Sequence, residues 1–195
     1  MESSYFRDTM PQKESKAVIG VRSRNLRTVI ALAVFAATFF ALEYAWEQCR
    51  GSDIETWVID RATVLPAAWT VNRLWPDRHA LAHANSLISA RGRLNILNGC
   101  EGLETLFLLV AAFVAYPLAW RGRAIGILFS ALLIYVLNQM RIVVLWWSVQ
   151  FSPSLFGLLH GTVLPLVLIA IALLFFLAFV PPVESDIRAR RPAGR

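Results

Sequence analysis

Four long apolar runs constrain this chain more than any motif does. They occupy about positions 28–46, 103–120, 124–147 and 158–180. Each is roughly 18 to 25 residues, enough for a helix to cross about 30 Å of hydrocarbon. With 57% hydrophobic and only 16% charged residues, the sequence holds more apolar surface than a soluble domain of this size buries. It reads as an integral membrane protein. The first run carries Glu43 and follows Lys13, Lys16, Arg22, Arg24 and Arg27. It lacks the short core and small-residue cleavage site of a signal peptide, so it is expected to be a retained span.

The net charge of +6 is concentrated in the two tails and in the loop Arg121-Gly122-Arg123. That distribution fits membrane orientation rather than nucleic-acid binding. Four spans place the basic tail 1–27, this loop and the tail 181–195 on one side, cytoplasmic by the positive-inside rule. The tails carry no periodic pattern and are expected to be disordered. Segments 47–102 and 148–157 then face outward. The longer one holds Arg50, Arg61, Arg73, Arg78, Arg91 and Arg93, which blunts the asymmetry, alongside Asp53, Glu55, Asp60 and Asp77.

That outer segment, roughly 55 residues, is too short for an independent enzyme domain and is expected to lie on the membrane. Ser52 or Asp53 can cap a helix on which Ile54, Trp57, Val58, Leu65, Ala68 and Trp69 recur at helical spacing, with a kink at Pro66. The tryptophans suit headgroup depth. Further on, 86–90 and 94–97 bracket Arg91-Gly92-Arg93, which predicts a small β-hairpin with Gly92 in its turn. The expected fold is therefore an all-α integral membrane protein. It has about four transmembrane helices in a membrane domain 28–180, with an interfacial helix and a small β-hairpin outside.

Cys100 lies where the outer segment meets the second run, in Asn98-Gly99-Cys100-Glu101-Gly102. Cys49 lies just outside the first span on the same side, so two readings stand: a disulfide between them, or a free nucleophile. The absence of a CxxC pair argues against a thiol-disulfide oxidoreductase and, with no Cys/His cluster, against a zinc site. His79 and His83 are spaced i, i+4, but no third ligand accompanies them.

Arg141 interrupts the third run about 9 Å from its outer end, at a depth that costs roughly 2 to 3 kcal/mol unless a partner or water-filled cavity receives it. Glu43, Glu47, Glu101 and Glu104 are candidate ion-pair partners. Asn138 falls on the same helix face as Arg141. His160 begins the fourth run after Ser152-Pro153, a helix-start pattern. It is either a satisfied polar residue at the interface or, at the depth of Cys100, a base for its thiol.

Taken together, these residues resemble the exosortase/archaeosortase family. Its pattern is a cysteine and, two residues on, a glycine at a helix start, then Asn-x-x-Arg in a later helix, then a histidine near the start of the next. Here these are Cys100-Glu101-Gly102, Asn138-Gln139-Met140-Arg141 and His160. The resemblance covers about 86–180, and the single span before the outer segment suggests a short-form member, of the exosortase H type. It implies a cysteine peptidase/transpeptidase of the plasma (inner) membrane with its active site on the extracytoplasmic face. Its partners would be exported proteins ending in a short motif, a transmembrane helix and a basic cluster, together with the lipid bilayer and no nucleic acid. Cys100 would form the thioester, His160 would move the proton and Arg141 would hold the oxyanion or substrate. Asn138 and Glu101 would contact substrate, and no cofactor or metal would be needed. The alternative is a non-catalytic membrane assembly subunit tied by a disulfide between Cys49 and Cys100.

Overall fold

Pro117 decides where the second apolar run stops being helix. In the computed structural model, which describes residues 10–90, 92–96 and 99–180 and side chains from residue 25, helix α4 spans Leu103–Ala115. Tyr116, directly before the proline, is extended at φ −77 and ψ 140, because the pyrrolidine ring clashes with a helical preceding residue. The expected span 103–120 is thus a helix of 13 residues, about 20 Å long at 1.5 Å per residue. Among the described residues, three helices are long and apolar enough to cross a membrane: Asn25–Gln48, Trp120–Phe151 and Pro153–Phe179. The protein is a multi-pass membrane protein, largely helical, with a small antiparallel sheet.

The first of these is the end of α1, Met10–Gln48, so residues 10–27 are helical rather than disordered as expected. Residues 1–9 and 181–195, including the C-terminal arginines, lie outside the described residues. A helical stretch follows as α2 (Asp53–Thr56), a π-helical segment (Trp57–Val64) and α3 (Leu65–Leu74). Ser52 sits at the N-cap, but its hydroxyl donates to the Cys49 carbonyl instead of capping. Pro66 falls in the first turn of α3, where its missing N–H is harmless, so helical backbone continues past it.

The face this stretch covers is not the expected one. Ile59, Thr63, Val64, Ala67, Ala68 and Val71 are buried, whereas Ile54, Trp57, Leu65 and Trp69 from the expected stripe are exposed. The face that packs carries the smaller side chains, and the large apolar ones lie on the exposed face.

The segment between α1 and α4 carries strands β1 (Leu81–His83), β2 (Ser86–Ser89) and β3 (Gly92–Asn95), paired antiparallel in the order β1-β2-β3. A hairpin was expected, and a third strand is added to it. Gly92 is not in the turn: it opens β3 opposite Ser89, and it is glycine because a Cβ there would lie 2.9 Å from Val149 Cγ1 on helix α5, Trp120–Phe151. Asn72 of α3 fixes the sheet by clamping Ala80, donating to its carbonyl at 2.8 Å and accepting from its N–H at 2.7 Å. His79, in left-handed backbone at φ 46, and His83, in β1, do not share a helix.

Two cores result. The outer one packs Val64, Ala67 and Val71, with Leu87, Leu94 and Ile96 from the sheet region, against Ile142, Leu145 and Trp146 of α5 (Trp120–Phe151); Cys100 belongs to it. Trp75 tilts onto the fully buried Trp146 at 5.4 Å between ring centroids. The inner core joins Leu109 and Phe113 of α4 to Ile134 of α5 and to Leu168 and Ala172 of α7 (Leu164–Phe179). Gly126 lets α5 approach α4 closely, since a Cβ there would fall 2.5 Å from the Phe113 ring. Arg123 folds back to donate to the Phe113 carbonyl at 3.1 Å, satisfying the open C-terminal end of α4.

Candidate active site

One stripe of α5 runs from the inner core to the site. Gly126, Ser130, Ile134, Asn138, Arg141, Leu145 and Ser148 are all buried at spacings of three or four, so the face that packs the bundle also carries the two polar groups. Asn138 is 2% exposed and Arg141 8%. Asn138 Nδ2 donates to the Cys100 carbonyl at 2.9 Å, and Arg141 Nη1 reaches the Gly99 carbonyl at 3.5 Å. The first is a sound hydrogen bond and the second lies at the limit of one. The two side chains thus grip consecutive carbonyls of the segment that presents the thiol.

Gly99 and Gly102 bracket that segment at φ +91 and +80. Both are left-handed conformations that glycine adopts without a Cβ clash. Gly102 has a second constraint, for a Cβ there would sit 3.0 Å from Asn138 Cγ and 3.1 Å from its Cβ. The Cys-x-Gly and Asn-x-x-Arg patterns are therefore physically one feature, the glycine of the first making room for the asparagine of the second. A Gly102→Ala chain is expected to lose roughly 1 to 3 kcal/mol from combined backbone strain and overpacking. Its detergent unfolding midpoint checks this, with Gly122→Ala, at a site with open space, as the unaffected control.

Arg141 has no carboxylate partner among the described residues, and its Nε is buried without a hydrogen bond. The candidate ion pairs from the sequence do not form: Glu47 instead pairs with Arg50 at 2.8 Å, near the end of α1. Glu43 lies in electrostatic range of Glu104, Glu101 and Glu47. Glu101, expected at the substrate, accepts from Trp46 Nε1 at 3.0 Å through one oxygen, and its other oxygen is buried without a partner. It ties the Cys100 segment to α1.

His160 sits on the last long helix, which starts at Pro153 with α6 (Pro153–Leu158), passes through a π-helical segment (Leu159–Val163) and continues as α7. Its ring stacks on Phe156 at 5.3 Å and 4° between planes, while Phe156 and Leu159 pack against the cluster that contains Cys100. Its Nδ1 is buried without a partner, and Arg141 lies within electrostatic range. A π-helical turn at such a residue is a common mark of a functional position. Cys49 and Cys100 are both thiols with no disulfide between them. The covalent tie on which the assembly-subunit reading depended is not present.

A family model described as transmembrane exosortase (Exosortase_EpsH) matches residues 22–178. This chain belongs to the transmembrane exosortase family. No curated protein and no solved structure matches it. The family match reaches well into α1, beyond the stretch that carries the motifs. Within this exosortase, the sequence singled out Cys100, Asn138, Arg141 and His160 but gave no role to Gly99, whose carbonyl meets Arg141, or to Trp46, which holds Glu101. The paired glycines around Cys100 were a readable signal for the first. Nothing local announces the second, because Trp46 and Glu101 are far apart in sequence.

Proposed function

We propose that this exosortase is a membrane-embedded cysteine peptidase/transpeptidase that cleaves C-terminal sorting signals of exported proteins. The observation that carries the reading is the grip of Asn138 and Arg141 on the carbonyls flanking the thiol, with the Arg141 Nε left unused beside it. A buried cation with donors to spare suits the negative charge that develops on a carbonyl oxygen under attack.

In the proposed reaction Cys100 Sγ adds to the scissile carbonyl and its proton passes to His160. Arg141 meets the oxyanion. The carbon–nitrogen bond then breaks, the leaving amine takes the proton from His160, and the substrate's new carboxyl end remains as a thioester. An acceptor amine, or water, gives its proton to His160 and attacks the thioester; the thiolate leaves and recovers the proton. Asn138 holds the nucleophile's backbone in place, and Glu101 anchors the same segment to α1 on the substrate side.

The site belongs on the extracytoplasmic face of the plasma membrane, with the basic tails and the Arg121-Gly122-Arg123 loop inside. α4 makes the fourth crossing, its roughly 20 Å of helix extended by the non-helical stretch 116–119, at about 3.3 Å per residue. Ile54, Trp57, Leu65, Trp69 and Leu74, all exposed, rest at the interface. Partners are exported proteins bearing a motif, a transmembrane helix and a basic cluster.

The test uses the Cys49→Ala chain in intact membranes with a co-expressed exported protein carrying such a tail. The expected result is cleavage blocked by a thiol-alkylating reagent, with an enzyme–substrate adduct released by neutral hydroxylamine. Cleavage that survives alkylation and leaves no such adduct would overturn the thioester reading.

A further inference from the structure

The sheet has two edges, and they are not equivalent. The Ile96 N–H donates to the Asn85 carbonyl at 2.7 Å, which sets the phase of the antiparallel ladder between β2 and β3. Alternate pairs exchange hydrogen bonds, so Leu94 and Gly92 face Leu87 and Ser89, while the backbone N–H and C=O of Arg93 and Asn95 point away from β2. Among the described residues those outward groups have no hydrogen-bond partner, and both residues are exposed. On β1 the same alternation leaves only Ala82 turned outward, and that strand leans on α3 and the π segment after α2. α5 lies under the sheet face at Gly92, so it covers a face and not the β3 edge.

The open edge also leads to the nucleophile. β3 ends at Asn95, and Ile96 and Cys100 belong to the same buried cluster as Leu94. Five residues at full extension place Cys100 within about 17 Å of Asn95. An unpaired edge is a template for another strand, and two outward residues at i, i+2 offer the main-chain hydrogen bonds that such a strand uses.

We propose that the β3 edge receives the substrate's extended segment, immediately before its own membrane helix, as an added fourth strand that delivers the scissile bond to Cys100. The inference rests on the peptidase reading above. The bound strand lies about 4.8 Å from β3 and is held through its backbone. Recognition of this kind tolerates varied side chains at the positions that carry the hydrogen bonds.

Two measurements test it in the full chain. Against Asn95→Ala, which loses only the Oδ1 that accepts from Ser86 Oγ at 3.0 Å, Asn95→Pro also deletes an outward N–H while keeping the backbone ladder to β2, a substitution that edge strands accept. It is expected to lower processing of the co-expressed tail-bearing protein about tenfold, the factor for one lost hydrogen bond. Ala82→Pro, at the other edge, is expected to process like the native chain, and Cys100 alkylation rates are expected to be the same in all three. In detergent, synthetic tail peptides N-methylated one position at a time are expected to lose cleavage at alternate residues only.

Native-like processing by Asn95→Pro, or N-methyl losses that do not alternate, would overturn the strand-addition inference while leaving the peptidase reading intact. Disulfide-linked enzyme pairs formed by Asn95→Cys in the Cys49→Ala background would assign the edge to a second copy of this chain and also overturn it. If the native chain leaves the tail uncut, both readings fall together.

Discussion

Cys100→Ala is expected to abolish processing of a tail-bearing substrate, a fall of about 10⁴-fold or more, while the chain still inserts and folds. The size follows from the proposed role, in which Cys100 Sγ forms the covalent intermediate and surrounding donors cannot replace it. The folding half follows from the geometry. Asn138 holds the Cys100 backbone carbonyl, and Gly99 and Gly102 set the bend independently of the side chain. Removing one buried sulfur costs on the order of 1 kcal/mol in packing. Cys100→Ser is expected to restore the volume but not the rate. Cys49→Ala is expected to retain native processing, because its thiol is not joined to Cys100. Immunoblots for the cleaved substrate, run beside detergent melting curves, separate the two effects. Substantial processing by Cys100→Ala would remove it from the nucleophile role.

Arg141→Met is expected to move stability and activity in opposite directions. The guanidinium is 8% exposed, lacks a carboxylate among the described residues, and keeps Nε without a partner. Insertion scales put the cost of such a charge at roughly 2.5–3.5 kcal/mol at a helix centre. Its contact to the Gly99 carbonyl, at 3.5 Å, returns little of that. A methionine of similar length removes the burden, so the detergent melting midpoint is expected to equal or exceed the native one. Processing is expected to fall by about 10² to 10³, the usual effect of losing one preorganised oxyanion donor. Arg141→Lys is expected to be nearly as inactive, since an ammonium lacks the planar fork that reaches two acceptors. A melting midpoint well below native for Arg141→Met would show that the arginine is a structural post instead.

The apolar runs made the long helices legible, because nothing but a membrane span accommodates so many consecutive apolar residues. Asn138, Arg141 and His160 stand out because each is a polar residue in such a run, and Cys100 because it lies at the edge of one, between two glycines. The second run was misjudged at its end, where hydropathy continues past Tyr116 but Pro117 stops the helix. The buried stripe of the stretch from Asp53 to Leu74 was misjudged because its large apolar residues, Ile54, Trp57, Leu65 and Trp69, lie on the exposed face, while smaller ones, Ala67, Ala68 and Val71, pack inside. Strand β1 was missed because Leu81-Ala82-His83 has no β-branched residue; it exists because Asn72 pins Ala80 and β2 offers a partner. The grip of Asn138 on Cys100 joins two elements distant in sequence, and only the close approach allowed by Gly102 makes it possible.

Asn138 Oδ1, Arg141 Nε and His160 Nδ1 are each buried without a partner, and the consequence reaches beyond the reaction itself. These are the places where a swap to an apolar side chain most readily relieves desolvation. Anyone breeding a hardier version of this chain for purification, with heat or detergent as the only sieve, would harvest such swaps first. The survivors would be well-behaved and inert.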